Sequence, residues 1–264
     1  IKRKVGFEGS LKAFFDHLRT DPQFKFASKQ ALLDGYDAIR SRVDAAVPKL
    51  FTLTPRSPFE IRPVPEYSER SQAAGYYRPG TPDGSRPGIF FVNTYDLPSR
   101  TTPRMETLFL HEAIPGHHFQ IALAQENESL PNFMRFDGNT AFAEGWALYA
   151  ESLGPELGMF TDPYQAFGSL DDEMLRAIRL VVDTGIHARG WSREQAIRYM
   201  LDNSAQSETD ARAEVERYIA IPGQALAYKV GALTIRRLRT EAEQALGERF
   251  DPREFHAQVL DTGA

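Results

Sequence analysis

An apolar helical run with a proline in its middle constrains this chain more than any other feature. Residues 108–125 read LFLHEAIPGHHFQIALAQ, with apolar side chains at helical spacing on both sides of Pro115 and Gly116. Proline inside a helix removes a backbone donor, and its ring collides with the carbonyl four residues back, here that of His111. Gly116 supplies the backbone freedom to leave the helical path. The segment is therefore expected to be bulged or broken at residues 113–116.

The polar residues around the interruption are those of metal chemistry. His111 and Glu112 stand as in the helix of a zinc peptidase, where a second histidine follows four residues after the first and the glutamate serves as base. Position 115 holds the proline instead, and histidines arrive at 117 and 118. On an undisturbed helix His117 points about 120° away from His111, and His118 lies about 10.5 Å further along the axis. Neither then shares an ion with His111 at bond lengths of about 2.0–2.1 Å. A distortion that absorbs two residues puts His117 where the second ligand belongs. The sequence has no cysteine, so any metal must be held by His, Asp or Glu. About thirty residues on, AFAEGWALYAES offers Glu144 within an apolar stripe, where a buried acid needs a charged partner or a metal. Glu151, seven residues later on a similar helix face, is the second choice or a group that orients a ligand.

Around this motif the chain of 264 residues divides into three stretches. Residues 1–50 read helical, with Ser28 as a cap for the second helix. Residues 52–102 are dense in proline and glycine and carry three short β-type runs, FEIRPVP, AGYYRP and GIFFVNTY. Residues 103–264 are helical again. Pro103 is placed in the first turn of the motif helix, and Asn139 or Thr140 caps the next. Ser169 with Asp172, and Ser192 with Gln195, have capping-box spacing. Asp251, Pro252 and Glu254 start the last helix. The expected fold is one mainly α domain with a small three-stranded β element beside the metal helix. Net charge is −5 and the sequence pI about 5.8, which gives no basic face for nucleic acid. No apolar run approaches the roughly 18–20 residues of a membrane span.

Four segments in order, HEAIPGHHFQ, EGWALYAE, RLVVDTGIHARGW and ERYIAIPGQALAYKVG, within roughly residues 75–231, resemble the bacterial domain of unknown function 885 family. That family is similar to helical zinc peptidases such as Taq carboxypeptidase and the thimet-type oligopeptidases. The resemblance implies a helical zincin-like catalytic domain with one zinc ion. The family pattern His-Glu-x-x-Pro-Gly-His-x-x-Gln selects His117 over His118 and includes Gln120. It implies His111, His117 and Glu144 as ligands and Glu112 as general base. A tyrosine from a late helix stands over the metal in the related peptidases, which favours Tyr228 over Tyr218 as an oxyanion donor, Tyr218 remaining a candidate for substrate binding. An edge strand near the metal helix pairs with substrate in those relatives, so Asn93 and Thr94 in GIFFVNTY are candidate contacts to a peptide backbone; an interior strand is the alternative. Arg179, Asp183 and His187 share one helix face at i, i+4 and i+8, either as a salt-bridged support for the site or as a site for a substrate carboxylate or oxyanion. Family members run to about twice this length, so the chain is expected to be the catalytic C-terminal half.

The functional expectation is a zinc-dependent hydrolase of peptide bonds or related amides. The alternative is a metal-free or inactive helical binding module that retains the peptidase fold. A peptide or amide is the expected partner; oligomeric state and compartment are not legible.

Overall fold

Serine caps start the first two helices of the computed structural model, which describes residues 1–204, 206 and 208–263. The Ser10 hydroxyl accepts from the Ala13 N–H before α1 (Leu11–Thr20). Ser28 accepts from Ala31 before α2 (Lys29–Ala46). Helix α2 buries Leu32, Tyr36, Ile39 and Val43, a stripe at alternating spacings of four and three that faces the main core.

The proline-rich stretch folds into a three-stranded sheet of β1 (Phe59–Pro63), β2 (Gly75–Arg78) and β3 (Gly88–Val92). Strand order is β1-β3-β2, with β1 parallel and β2 antiparallel to β3. All five residues of β3 are buried, as expected of a central strand covered on both faces. Strand β2 is an edge strand and leans on the motif helices.

Nine further helices follow among the described residues: α3 (Met105–Glu112), α4 (His117–Glu126), α5 (Asn132–Phe136), α6 (Thr140–Ser152), α7 (Pro163–Arg189), α8 (Arg193–Asn203), α9 (Glu208–Ala220), α10 (Gln224–Leu246) and α11 (Pro252–Asp261). The protein is thus mainly helical with a small three-stranded sheet, as the sequence pattern indicates. Two starts differ from expectation. Pro103 lies in a 3₁₀ turn just before α3. Helix α7 begins at Pro163, where the Asp162 carboxylate accepts from the Tyr164 N–H; Ser169 and Asp172 are interior to it. An Asp-Pro start outcompetes the later capping pair because proline fits the first helical turn, and Asp172 instead binds Arg104 and Arg176.

Helix α6 runs through the middle, with Trp146, Leu148 and Tyr149 fully buried. It packs against α10 at two glycines. A Cβ on Gly145 would stand 2.4 Å from the Gly231 Cα, and one on Gly231 would stand 1.9 Å from the Ala141 carbonyl oxygen. Helices α7, α8 and α9 close around a separate core containing Val182, Met200 and Val215. His256 on α11 ties the chain's end to the main core: its Nδ1–H donates to the Leu50 carbonyl at 2.8 Å, and its Nε2 accepts from the Tyr149 hydroxyl at 2.7 Å. No helix among the described residues is long and apolar enough to cross a membrane.

Candidate metal centre

The interrupted run is two helices rather than one bulged helix. Helix α3 ends at Glu112, the Ile114–Pro115 peptide is cis, and α4 starts at His117. Gly116 is required at the junction, because a Cβ there would stand 1.9 Å from the His111 carbonyl oxygen. The Trp146 indole N–H donates to the Pro115 carbonyl at 2.7 Å, so α6 pins the break from outside.

This geometry turns the end of α3 and the start of α4 towards α6. His111 Nε2 lies 3.6 Å and His117 Nε2 3.2 Å from the same Glu144 oxygen, Oε2. The two imidazoles stand nearly perpendicular with centroids 4.7 Å apart. One ligand-type atom from each of the three residues lies within 4.8 Å of the others. Glu144 Oε2 and His117 Nδ1 are buried without a hydrogen-bond partner. The other Glu144 oxygen accepts from the Gln224 amide at 3.4 Å. His118 points away: its Nδ1 meets the Tyr77 hydroxyl at 3.0 Å and its ring packs on Phe59. Burial pushes the His118 pKa down to about 4.

Glu151 orients His111. Its Oε1 accepts from His111 Nδ1 at 2.7 Å and from Arg176 at 3.3 Å, and its Oε2 accepts from the Thr107 hydroxyl at 2.9 Å. Burial disfavours the charged form of His111, but the neighbouring carboxylates of Glu144 and Glu151 outweigh it and lift the pKa to about 10. Burial likewise opposes charge on Glu144, and the close approach of the two imidazoles prevails, holding its carboxyl well below the usual range. Glu112 is 8% exposed and makes no ion pair with Arg or Lys among the described residues. Burial raises its pKa, Glu144 adds to the rise, and His111, His117 and the Tyr77 backbone N–H act against it. An open cleft of about 290 Å³ reaches His117 and Glu144 between Tyr77, Ile121, Asp137 and Thr140.

The remaining residues singled out in the sequence fall elsewhere. Tyr228 lays its ring over His111 with centroids 6.2 Å apart, and its oxygen accepts from Arg217 at 3.1 Å. Asn93 and Thr94 follow the central strand and are buried. The Asn93 amide nitrogen donates to the Glu69 and Gln72 carbonyls and its oxygen accepts from the Tyr95 N–H. Both polar ends of Asn93 hold loops, and the edge strands are β1 and β2, so neither residue sits on a free strand edge. Arg179 pairs with both oxygens of Glu214, at 2.9 and 3.0 Å, and touches the Tyr218 hydroxyl at 3.3 Å. His187 donates to the Tyr218 carbonyl at 2.9 Å, and Asp183 accepts from the Gly223 N–H at 3.1 Å. These contacts support α7, α9 and α10 and pair the Arg179 charge with Glu214. Thr107, Arg176, Gln224 and Tyr77 join the site without having been singled out. For Gln224 and Tyr77 the signal lay in their segments, IPGQAL and GYYRPG.

Fold and site together define a mainly helical protein in which a broken helix and a crossing helix bring two histidines and a glutamate to one point. The chain belongs to the bacterial proteins of unknown function DUF885, whose family model matches residues 1–264. A solved protein from Colwellia psychrerythraea, described as a "putative lipoprotein", is 40% identical, with a TM-score of 0.95 over 100% of this chain. A second, a "putative lipoprotein of unknown function" from Shewanella oneidensis, is 27% identical with a TM-score of 0.78 over 96%. The chain spans 46% of the length of each. No curated protein matches it.

Proposed function

We propose that this chain carries the zinc site of a hydrolase acting on peptide bonds or related amides. The observation that carries the reading is the convergence of His111 and His117 on an oxygen of Glu144 that has no hydrogen-bond partner. Donors bound at about 2.0–2.1 Å around a tetrahedral ion stand roughly 3.3 Å apart, close to the 3.2 and 3.6 Å found here. Charge agrees. Arg104 and Arg176 offset Asp172 and Glu151, while Glu112 and Glu144 have no Arg or Lys partner among the described residues. Two such carboxylates suit a divalent cation.

A zinc ion held by His111, His117 and Glu144 would acidify a water towards about pH 7 and polarise the substrate carbonyl. Glu112, raised by burial, is suited to take a proton from that water and pass it to the leaving nitrogen. Glu151 fixes the His111 ring with Nδ1–H towards itself and Nε2 towards the site. Arg217 donates to the Tyr228 oxygen, which leaves the phenolic proton free for a developing oxyanion. Strand β2, which borders the cleft through Tyr77, is the strand an extended peptide would pair with.

The test is metal analysis of purified protein, followed by a peptide-library assay with and without a chelator. About one zinc per chain and chelator-sensitive cleavage are expected. Peptide retention by protein that takes up no zinc would instead identify a metal-free binding module.

A further inference from the structure

Two buried polar atoms on α4 have no partner: His117 Nδ1 and Gln120 Oε1. Residues three apart on a helix are neighbours, with Cβ atoms about 5–6 Å apart, so the Gln120 amide is within reach of the His117 ring. The other two converging side chains are already held. Glu151 takes the far nitrogen of His111, and Gln224 takes the far oxygen of Glu144. A histidine that ligates a metal through one ring nitrogen almost always donates its other N–H to an acceptor. His117 directs Nε2 at Glu144, which leaves Nδ1 as that donor.

We propose that Gln120 is the positioning residue of His117: with metal bound, the His117 Nδ1–H donates to Gln120 Oε1, directly or through one water. The proposal rests on the zinc reading above. It makes the two histidines unequal. His111 is fixed beforehand by a buried carboxylate, whereas His117 is fixed by a neutral amide that closes as the ion arrives. Gln120 touches neither substrate nor the reacting atoms, so its effect should be seen in metal binding itself.

Zinc titrated into metal-free parent, Gln120→Leu and Gln120→Glu, in competition with a chromophoric chelator, tests this. Gln120→Leu should weaken zinc about 10–100-fold, while its metal-free form melts no lower than the parent, because an unsatisfied buried oxygen has been removed. Gln120→Glu restores an acceptor and should bind zinc at least as tightly as the parent. An exchange-protected His117 Nδ1–H proton resonance in the zinc-loaded parent reads the bond without any substitution, even if the leucine variant does not fold. Parent-like zinc affinity in Gln120→Leu, failure of Gln120→Glu to restore binding, or absence of that resonance overturns the proposal and leaves the zinc site standing. A parent that binds no zinc removes both.

Discussion

Two buried polar clusters flank the Tyr228 ring, and they are finished to different degrees. On one side the Arg179 guanidinium lies 4.6 Å from the ring centroid and is closed by both oxygens of Glu214, with the Tyr218 hydroxyl joining. On the other, His111 stacks on the ring while Glu144 Oε2 and His117 Nδ1 lack hydrogen-bond partners. Burial is similar in both, so burial does not mark a site. A buried network that satisfies its own members serves the fold. One that stops short, with donors converging on an unsatisfied oxygen, is shaped for something added. His256 and His117 repeat the contrast between single histidines: the first has partners on both nitrogens, the second does not.

The largest effect should come from the unfinished cluster. Glu144→Ala is expected to strip most of the zinc, since two remaining histidines give too few donors for tight binding; full metal content in that variant would break the distinction. Glu112→Gln should keep zinc and fold while the hydrolysis rate falls by about 10²–10⁴-fold, measured on a peptide found in the library screen. If most activity survives, the base is another group. Arg179→Met removes the nearer of the two arginines beside Glu214, with Arg217 left at 3.9 Å, and should destabilise the protein by up to about 3 kcal/mol in denaturant unfolding with zinc stoichiometry unchanged; lost zinc would mean that the two clusters act as one. The smallest effect concerns His256. Burial lowers its pKa from 6.5 to about 4, so the folded state takes its proton later than the unfolded chain. Its contribution is complete above about pH 6.5 and is lost as pH falls towards 4, at most about 3 kcal/mol. His256→Gln should flatten that part of the pH–stability curve.

The helices and the break were legible because they rest on local rules. Ser28, Asn139, Ser192 and Asp251 all cap helices, and Pro115 with Gly116 allows no continuous helix. The convergence of His111, His117 and Glu144 followed from donor chemistry and motif order. The supporting contacts were not legible. Nothing local to Arg179 says that Glu214, thirty-five residues on, will close its charge, or that Arg176, one turn earlier, will reach Glu151. The strand GIFFVNTY is apolar enough for either an edge or a centre, and its neighbours on both sides make it a centre. These outcomes depend on which helices meet, which short-range spacing does not encode.

The contact between Gly145 and Gly231 carries a practical warning. Stabilisation by replacing helical glycines with alanine ordinarily gains up to about 1 kcal/mol per position. Here one methyl group would wedge α6 from α10, drawing Gln224 off Glu144 and Tyr228 off His111 while every residue of the site stayed in the sequence. A variant so improved on paper would pass any inspection of its motifs and fail at the bench, because the spacing of its site is set by two missing side chains.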